Sequence, residues 1–197
     1  MTEATTLATK PTEWIPQGEW TYQDYLNLPN DGRRSEIIEG VLYVSNAPNI
    51  DHQFTVVELI YQMKHFVTSK QLGYILTAPF EVHLAENTRP VQPDVLFIKA
   101  KRWPATGAKY FEGPPDLIVE VLSPSTRSVD QVIKYNAYEK AHVPEYWIAD
   151  PKARMVQVYS LEQQQYLLLG DFMGDEIIES KVLADLKIMT DSLFNKP

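Results

Sequence analysis

The sequence predicts a mixed α/β (α+β) domain in which a central, mixed β-sheet is flanked by helices. Two long segments carry apolar residues at helical spacing, and short apolar runs typical of buried strands stand before, between and after them. Strands, helix, strands, helix and strands therefore follow one another along the chain. That order predicts a sheet with the two main helices packed on it.

Composition limits the class of protein. The chain has 197 residues, of which 44% are hydrophobic and 22% charged, which is ordinary for a globular domain. We expect a flexible N-terminal arm over residues 1–18 and a single domain over residues 19–197. There is no cysteine, no bilayer-length apolar run and no secretory leader, so a cytoplasmic location is predicted.

The net charge of −8 argues mildly against a surface built throughout to hold nucleic acid. It leaves room for one, because only the binding groove must be positive. Most scattered basic residues are solvated surface, but seven are candidates for such a groove: Arg33, Arg34, Lys99, Lys101, Arg102, Lys109 and Arg127.

Caps and turns predict the first elements. The stretch "TYQDYLNLP" is typical of a short helix that begins after a Thr cap and ends before Pro29. The stretch "SEIIEGVLYVS" predicts a hairpin that folds about Glu39 and Gly40.

A long helix is predicted from about Ile50 to Ser69, buried over a broad face. A row of apolar residues at helical spacing, together with flanking residues that widen it, predicts this helix. The row comprises Phe54, Val57, Ile60 and Tyr61, and the flanking residues are Val56, Leu59 and Met63.

Three strands are predicted next, in "GYILT", "PFEVHLA" and "PDVLFIKA", and a fourth in "PPDLIVEVLS" after a loop. The second main helix lies in "STRSVDQVIKYNAYEKAHV", where Ser128 and Gln131 have capping-box spacing and predict its first turn. Strands follow in "PEYWIAD", "RMVQVYS" and "QQYLLLG". A last strand and a short helix that ends near Phe194 are expected at the C-terminus.

Two carboxylates lie in or beside apolar strands. Glu120 shares one face of a buried strand with Ile118 and Leu122, and a charge buried there requires a partner. Asp94 opens another apolar strand. Two neighbouring carboxylates repel unless a cation lies between them, and oxygen ligands favour Mg²⁺ or Mn²⁺. Two alternatives remain open: Asp94 caps a strand or turn, and Glu120 forms a buried ion pair with an Arg or Lys.

Further candidates come from the helices and the hairpin. Asp130, Lys134 and Tyr138 form one row on the second helix, so Lys134 either points at the acidic cluster or forms an exposed pair with Asp130. His52, in the first turn of the long helix, is either a polar residue near a helix end or a ligand, base or phosphate contact. Glu36 is the stronger acidic candidate on the hairpin.

Several motifs together resemble one known family. The stretches "RRSEIIEG", "VQPDVLFI", "PPDLIVEVLSPST" and "DQVIKYNAYEKAHVPEYWIADP" occur in this order. The series resembles the Uma-two family of restriction-endonuclease-like proteins, from about Trp20 to the C-terminus. The resemblance implies a restriction-endonuclease-like core with the PD-(D/E)xK arrangement of catalytic residues.

The resemblance also implies roles for individual residues. Asp94 and Glu120 would hold Mg²⁺ or Mn²⁺. The pattern places a Lys two residues after the Glu, but Leu122 stands there, and Lys134 on the following helix would replace it. Glu36 and His52 match recurrent positions of the family.

The function expected from this resemblance is a Mg²⁺-dependent DNA endonuclease. A catalytically weak or inactive module that binds nucleic acid or a protein partner is the alternative, and a hydrolase of another phosphate ester is a third possibility. A homodimer is also predicted, since it suits a double-strand-cutting fold. Trp14, Trp20 and Trp103 are expected to be exposed aromatics at its interface.

Overall fold

The computed structural model describes residues 15–124 and 127–196. The helices and strands, labelled in chain order, are α1 (Tyr22–Leu26), β1 (Arg34–Ile38), β2 (Val41–Ser45), α2 (Ile50–Ser69), β3 (Gly73–Thr77), β4 (Glu81–His83), β5 (Val95–Lys99), β6 (Tyr110–Glu112), β7 (Leu117–Val121), a π-helical segment (Val129–Lys134), α3 (Tyr135–Lys140), β8 (Glu145–Asp150), β9 (Met155–Glu162), β10 (Gln165–Met173), β11 (Ile177–Ile178) and β12 (Ile188–Met189). Short 3₁₀ turns cover Ala100–Arg102 and Thr190–Leu193.

A six-stranded sheet forms the centre of the fold, in the order β10-β9-β8-β7-β5-β3. The β7–β8 pair is parallel and the other neighbours are antiparallel, so the sheet is mixed. The predicted mixed α+β class with a central sheet is therefore confirmed. Two-stranded pairs lie beside it: β1 with β2, β4 with β6, and β11 with β12.

Each face of the central sheet has its own hydrophobic core. Strand β7 sends Leu117, Val119 and Val121 into a core that α2 and the C-terminal segment cover. Ile118 and Leu122 enter the opposite core, beside α3. This alternation was predicted, and it leaves Glu120 on the α3 side of a strand with no exposed residue.

The first elements form where the sequence predicts them. Thr21 caps α1 in a capping box with Asp24. The β1–β2 hairpin turns at Glu39 and Gly40, which have φ of 53° and 71°. Positive φ at both positions is the turn geometry that matches strand twist, and glycine adopts it at little cost.

The bounds of α2 agree with the prediction, but the predicted buried row is wrong in part. Val57 and Tyr61 are 59% and 69% exposed. Apolar residues surround much of this helix, so periodicity alone does not select the face that packs on the sheet. That face carries the flanking residues together with Val67, all buried: Val56, Leu59, Met63 and Val67.

The second main helix begins differently from the prediction. Ser128 already has helical φ and ψ and its side chain makes no cap hydrogen bond, so the predicted capping box is wrong. The helix continues as a π-helical segment before α3, and such segments are frequent at functional sites. The row of Asp130, Lys134 and Tyr138 is nevertheless real, because all three are buried.

The predictions about the termini and aromatics have mixed outcomes. Residues 1–14 of the predicted arm, including Trp14, lie outside the described residues. Trp20 is buried, which contradicts its predicted exposure, whereas Trp103 is 39% exposed and contacts the Tyr74 ring. Within residues 15–124 and 127–196, no helix combines the length and apolar character needed to cross a membrane.

Candidate active site

A cleft of about 650 Å³ opens beside the central sheet. Its walls come from α1 and the loop that follows, the segment joining β2 to α2, and residues 77–79 after β3. Four side chains reach the cleft from three different parts of the chain: Arg34, His52, and the pair Gln92 and Asp94. The cleft therefore leads directly to one of the two predicted ligand residues.

Asp94 lies at this cleft, one residue before β5. The register pairs Val95 with Val119, so Asp94 lies opposite Glu120. Its Oδ1 accepts a hydrogen bond from Arg34 Nη1 at 2.7 Å. Its Oδ2 accepts one from the Val121 amide at 2.9 Å and lies 3.0 Å from His52 Nε2. The alternative that Asp94 only caps a strand or turn does not describe these partners.

The partners of Asp94 determine its protonation. Burial alone would raise the pKa of this carboxyl, but the hydrogen bond to His52 and the positive charges of Arg34 and Lys134 lower it well below the usual range. Asp94 is therefore ionised at neutral pH, as a metal ligand has to be.

Glu120 is fully buried on β7. Its Oε1 accepts hydrogen bonds from Lys134 Nζ at 2.9 Å and from the Tyr138 hydroxyl at 2.7 Å. Its Oε2 is buried and has no hydrogen-bond partner among the described residues. Burial raises the pKa of Glu120, Lys134 opposes that rise, and the nearby carboxylates reinforce it, to about 8.

Lys134 extends from the π-helical segment into the same cluster and is 1% exposed. Its Nζ lies 3.1 Å from Glu36 Oε2 and 3.7 Å from Asp130 Oδ1. Burial would lower the pKa of Lys134, but Glu120, Glu36 and Asp130 raise it, so the ammonium stays charged. The alternative of an exposed Asp–Lys pair is thus wrong, whereas the alternative of a buried ion pair with Glu120 is observed.

Glu36 reaches the cluster from β1. Its Oε1 accepts a hydrogen bond from the backbone amide of Gln92 at 2.6 Å, and its Oε2 faces Lys134. Arg34, on the same face of β1, holds its Nε 3.8 Å from Glu36 Oε2. The hairpin thus contributes a carboxylate and a cation together.

His52 is buried in the first turn of α2, which Asn49 caps through the His52 amide. Its Nε2 faces Asp94, while its Nδ1 is buried and has no hydrogen-bond partner among the described residues. The interpretation of His52 as merely a polar residue near a helix end omits its contact with Asp94.

The structure therefore brings all five predicted site residues into one network: Glu36, His52, Asp94, Glu120 and Lys134. Sequence reasoning named Arg34 only as a candidate groove residue and missed its contact with Asp94. The signal was its position two residues before Glu36, which places both side chains on one face of a strand. Leu122 is buried in the apolar core beside α3, where it cannot replace the Lys134 ammonium.

Among the described residues, no group of three or more His, Asp or Glu side chains is arranged as a protein cage for a metal ion. Mg²⁺ does not require such a cage, since it commonly takes one or two carboxylates and completes its shell with water and phosphate oxygens. The unpartnered Glu120 Oε2, on the residue opposite Asp94 in the strand register, suits that type of site. These carboxylates therefore fit Mg²⁺ or Mn²⁺ better than a metal ion that takes all its ligands from the protein.

The fold and the carboxylate–lysine cluster define a restriction-endonuclease-like class of protein. The chain belongs to the Uma2 family, whose model, described as "Putative restriction endonuclease", matches residues 22–191. The predicted family is therefore confirmed.

A solved structure from Anabaena variabilis ATCC 29413, titled as a "putative nuclease belonging to DUF820", is similar to this chain. The two are 22% identical, with a TM-score of 0.76 over 88% of this chain and 97% of the other. That likeness shows the fold. No curated protein matches the chain.

Proposed function

We propose that the protein is a Mg²⁺-dependent endonuclease that hydrolyses phosphodiester bonds of DNA. The observation that carries the proposal is that Asp94, which lines the cleft, stands opposite Glu120 and its buried partner Lys134, in a family described as restriction endonucleases. Separate strands and a helix supply these three residues. A purely structural ion pair would not require a second carboxylate next to it, nor an unpartnered buried oxygen on Glu120.

Asp94 and Glu120 would hold Mg²⁺, or Mn²⁺ in its place. When bound, the ion would lower the pKa of a water molecule and neutralise charge on the phosphate. The glutamate would have to release its proton to serve as a ligand, because metal ligands bind in the deprotonated form.

Lys134 would orient the attacking water or a phosphate oxygen. Its ammonium is held by Glu36 and Glu120, so its position is defined before substrate arrives. In the reaction, the water oxygen forms a bond to phosphorus and the bond from phosphorus to the 3′-oxygen breaks. The water loses a proton to solvent, and the leaving 3′-oxygen gains one from solvent or from His52.

Cleavage of plasmid DNA in the presence of Mg²⁺ tests this proposal. Asp94→Asn and Glu120→Gln should each lower the cleavage rate by more than about a hundredfold, since each removes a ligand rather than a supporting group.

Asp116→Asn is the matched control for Asp94→Asn. Asp116 is also a buried aspartate bound by one backbone amide, of Lys99 at 2.9 Å, and by one arginine, Arg102 at 3.0 Å. We expect this variant to keep its activity. Cleavage that persists in both Asp94→Asn and Glu120→Gln would remove the proposed site.

A catalytically weak module that binds nucleic acid or a protein partner is the second candidate. Two observations favour it: Arg34 and Lys134 already neutralise the carboxylates, and the net charge is −8. Under this alternative, electrophoretic mobility shifts would reveal DNA binding that neither Mg²⁺ nor the Asp94→Asn substitution alters, and no cleavage would occur. The homodimer and the cytoplasmic location remain predictions.

A further inference from the structure

We propose that Arg34 is a resident counter-cation that competes with the divalent ion for Asp94. In the metal-free protein its guanidinium occupies the ligand position, and it has to leave that position before the ion binds. This inference rests on the proposed function, because it assumes the metal site of Asp94 and Glu120.

The two oxygens of Asp94 differ in their partners. Oδ2 is bound by the Val121 amide and lies against His52. Oδ1 has Arg34 Nη1, at 2.7 Å, as its hydrogen-bond partner among the described residues. An amide of strand β7 cannot move away without breaking the sheet, so Oδ1 is the oxygen available to an ion. It is also the oxygen that Arg34 covers.

The two cations of the cluster differ in their freedom to move. The Lys134 side chain is 1% exposed and contacts Glu36, Glu120 and Asp130. The Arg34 side chain is 21% exposed and lines the cleft, so it can swing towards solvent. Arg34 is therefore the cation that an incoming ion can displace.

Electrostatics give the direction of the effect. The charge of Arg34 interacts favourably with Glu36, Asp94 and Glu120, and these interactions keep the guanidinium protonated despite burial. While Arg34 stays in place, it neutralises part of the carboxylate charge that would attract a divalent ion. The guanidinium also repels the ion at short range, where screening by solvent is weak. Removing the charge should therefore tighten metal binding.

Isothermal titration of Mn²⁺ alone, without DNA, tests the proposal. Arg34→Gln removes the charge but keeps a hydrogen-bond donor, and we expect it to bind Mn²⁺ at least about tenfold more tightly than the unsubstituted protein. Arg34→Lys keeps the charge and should stay within about threefold of the unsubstituted protein. Arg34→Lys also keeps the proposal testable if Arg34→Gln folds poorly. Mn²⁺ binding more than about threefold tighter in Arg34→Lys would contradict competition by the positive charge, because that charge is still present.

Arg33→Gln is the matched control. It removes the same charge from the neighbouring residue, whose side chain is 55% exposed and pairs with Asp31. We expect a change in Mn²⁺ affinity of less than about twofold, because an exposed charge is screened. Equal tightening in Arg33→Gln and Arg34→Gln would indicate a general charge effect and overturn the proposal.

Two failures can be distinguished. If the unsubstituted protein binds Mn²⁺ in a manner that Asp94→Asn abolishes, but Arg34→Gln binds no more tightly, only the role of Arg34 is wrong. If neither the unsubstituted protein nor Arg34→Gln binds Mn²⁺, the metal site itself is wrong, and the proposed function fails with it.

Discussion

Two glutamates, Glu120 and Glu145, are fully buried in neighbouring strands of the same sheet, yet their surroundings differ. Glu145 Oε1 accepts hydrogen bonds from Trp147 Nε1 at 2.8 Å and the Ser180 hydroxyl at 2.6 Å. Its Oε2 accepts from the amides of Lys181 at 2.7 Å and Val182 at 3.0 Å. All four partners of Glu145 are neutral donors, and three of them, from Ser180, Lys181 and Val182, hold the C-terminal segment against the sheet.

Glu120 has a partial set of partners by comparison. One oxygen is bound by Lys134 and Tyr138, and the other is buried without a hydrogen bond. A buried polar atom without a partner costs about 1–3 kcal/mol, so it requires an explanation, of which a catalytic or ion-binding role is one. The comparison identifies Glu145 as a structural carboxylate, and it supports the proposal that Glu120 is a ligand residue.

The largest expected effect on stability comes from Lys134→Met. The substitution leaves the buried Glu36 without its cation and removes one of the two hydrogen-bond donors of Glu120, which should lower the free energy of unfolding by about 3–5 kcal/mol. Urea denaturation measures this change. Lys140→Met is the control: its side chain is 71% exposed and pairs with Glu39, so a change below about 1 kcal/mol is expected. Similar losses in both variants would mean that Lys134 is not the cation of a buried cluster.

Glu145→Gln should have the next largest effect. The glutamine side chain keeps one acceptor oxygen, but its NH₂ group faces other hydrogen-bond donors. It also lacks the carboxylate charge that strengthens four hydrogen bonds. We expect a loss of about 2–3 kcal/mol in the free energy of unfolding, measured in urea at neutral pH. A variant as stable as the unsubstituted protein would contradict the structural role of Glu145.

Glu120→Gln should have a smaller effect, and one that depends on pH. The pKa of Glu120 is raised to about 8 in the folded protein, so between the ordinary value of 4.5 and that value the folded state holds a proton that the unfolded state has lost. The stability of the unsubstituted protein therefore decreases as pH rises through this window. Glutamine does not titrate and should not show that part of the decrease.

The stability difference between Glu120→Gln and the unsubstituted protein should thus shift in favour of the variant by at least about 1.4 kcal/mol from pH 5 to pH 8, which corresponds to one pKa unit. Urea denaturation at both pH values measures the shift. A difference that stays constant, or that moves in favour of the unsubstituted protein, would show that Glu120 is ionised throughout this range.

Much of the fold could be predicted because its signals are local. Alternation along β7 placed Glu120 on the correct face, and the turn at Glu39 and Gly40 was readable from residue types alone. The buried face of α2 was not, because apolar residues surround much of that helix and only the position of the sheet selects among them. Ser128 had capping-box spacing, but the helix already includes it.

The candidate site was predictable in its members and less so in their pairing. Family motifs indicated Asp94, Glu120 and Lys134. The proximity of Asp94 to Glu120, however, depends on the pairing of β5 with β7, two strands that are not consecutive in the sequence. The spacing of Arg34 and Glu36 places both side chains on one face of β1, but it does not identify Asp94, 60 positions away, as the partner of Arg34. Whether a side-chain cation or a metal ion neutralises a carboxylate is likewise decided by tertiary geometry.

The comparison of the two buried glutamates is tested most directly by Mn²⁺ titration of Glu120→Gln and Glu145→Gln, each confirmed to be folded by circular dichroism. Each substitution removes one buried carboxylate, and the two residues lie on neighbouring strands. We expect Glu120→Gln to lower the affinity for Mn²⁺ by more than about a hundredfold, while Glu145→Gln stays within about threefold of the unsubstituted protein. Mn²⁺ binding that is unchanged in Glu120→Gln, or lost equally in both variants, would contradict the assignment of Glu120 as a metal ligand.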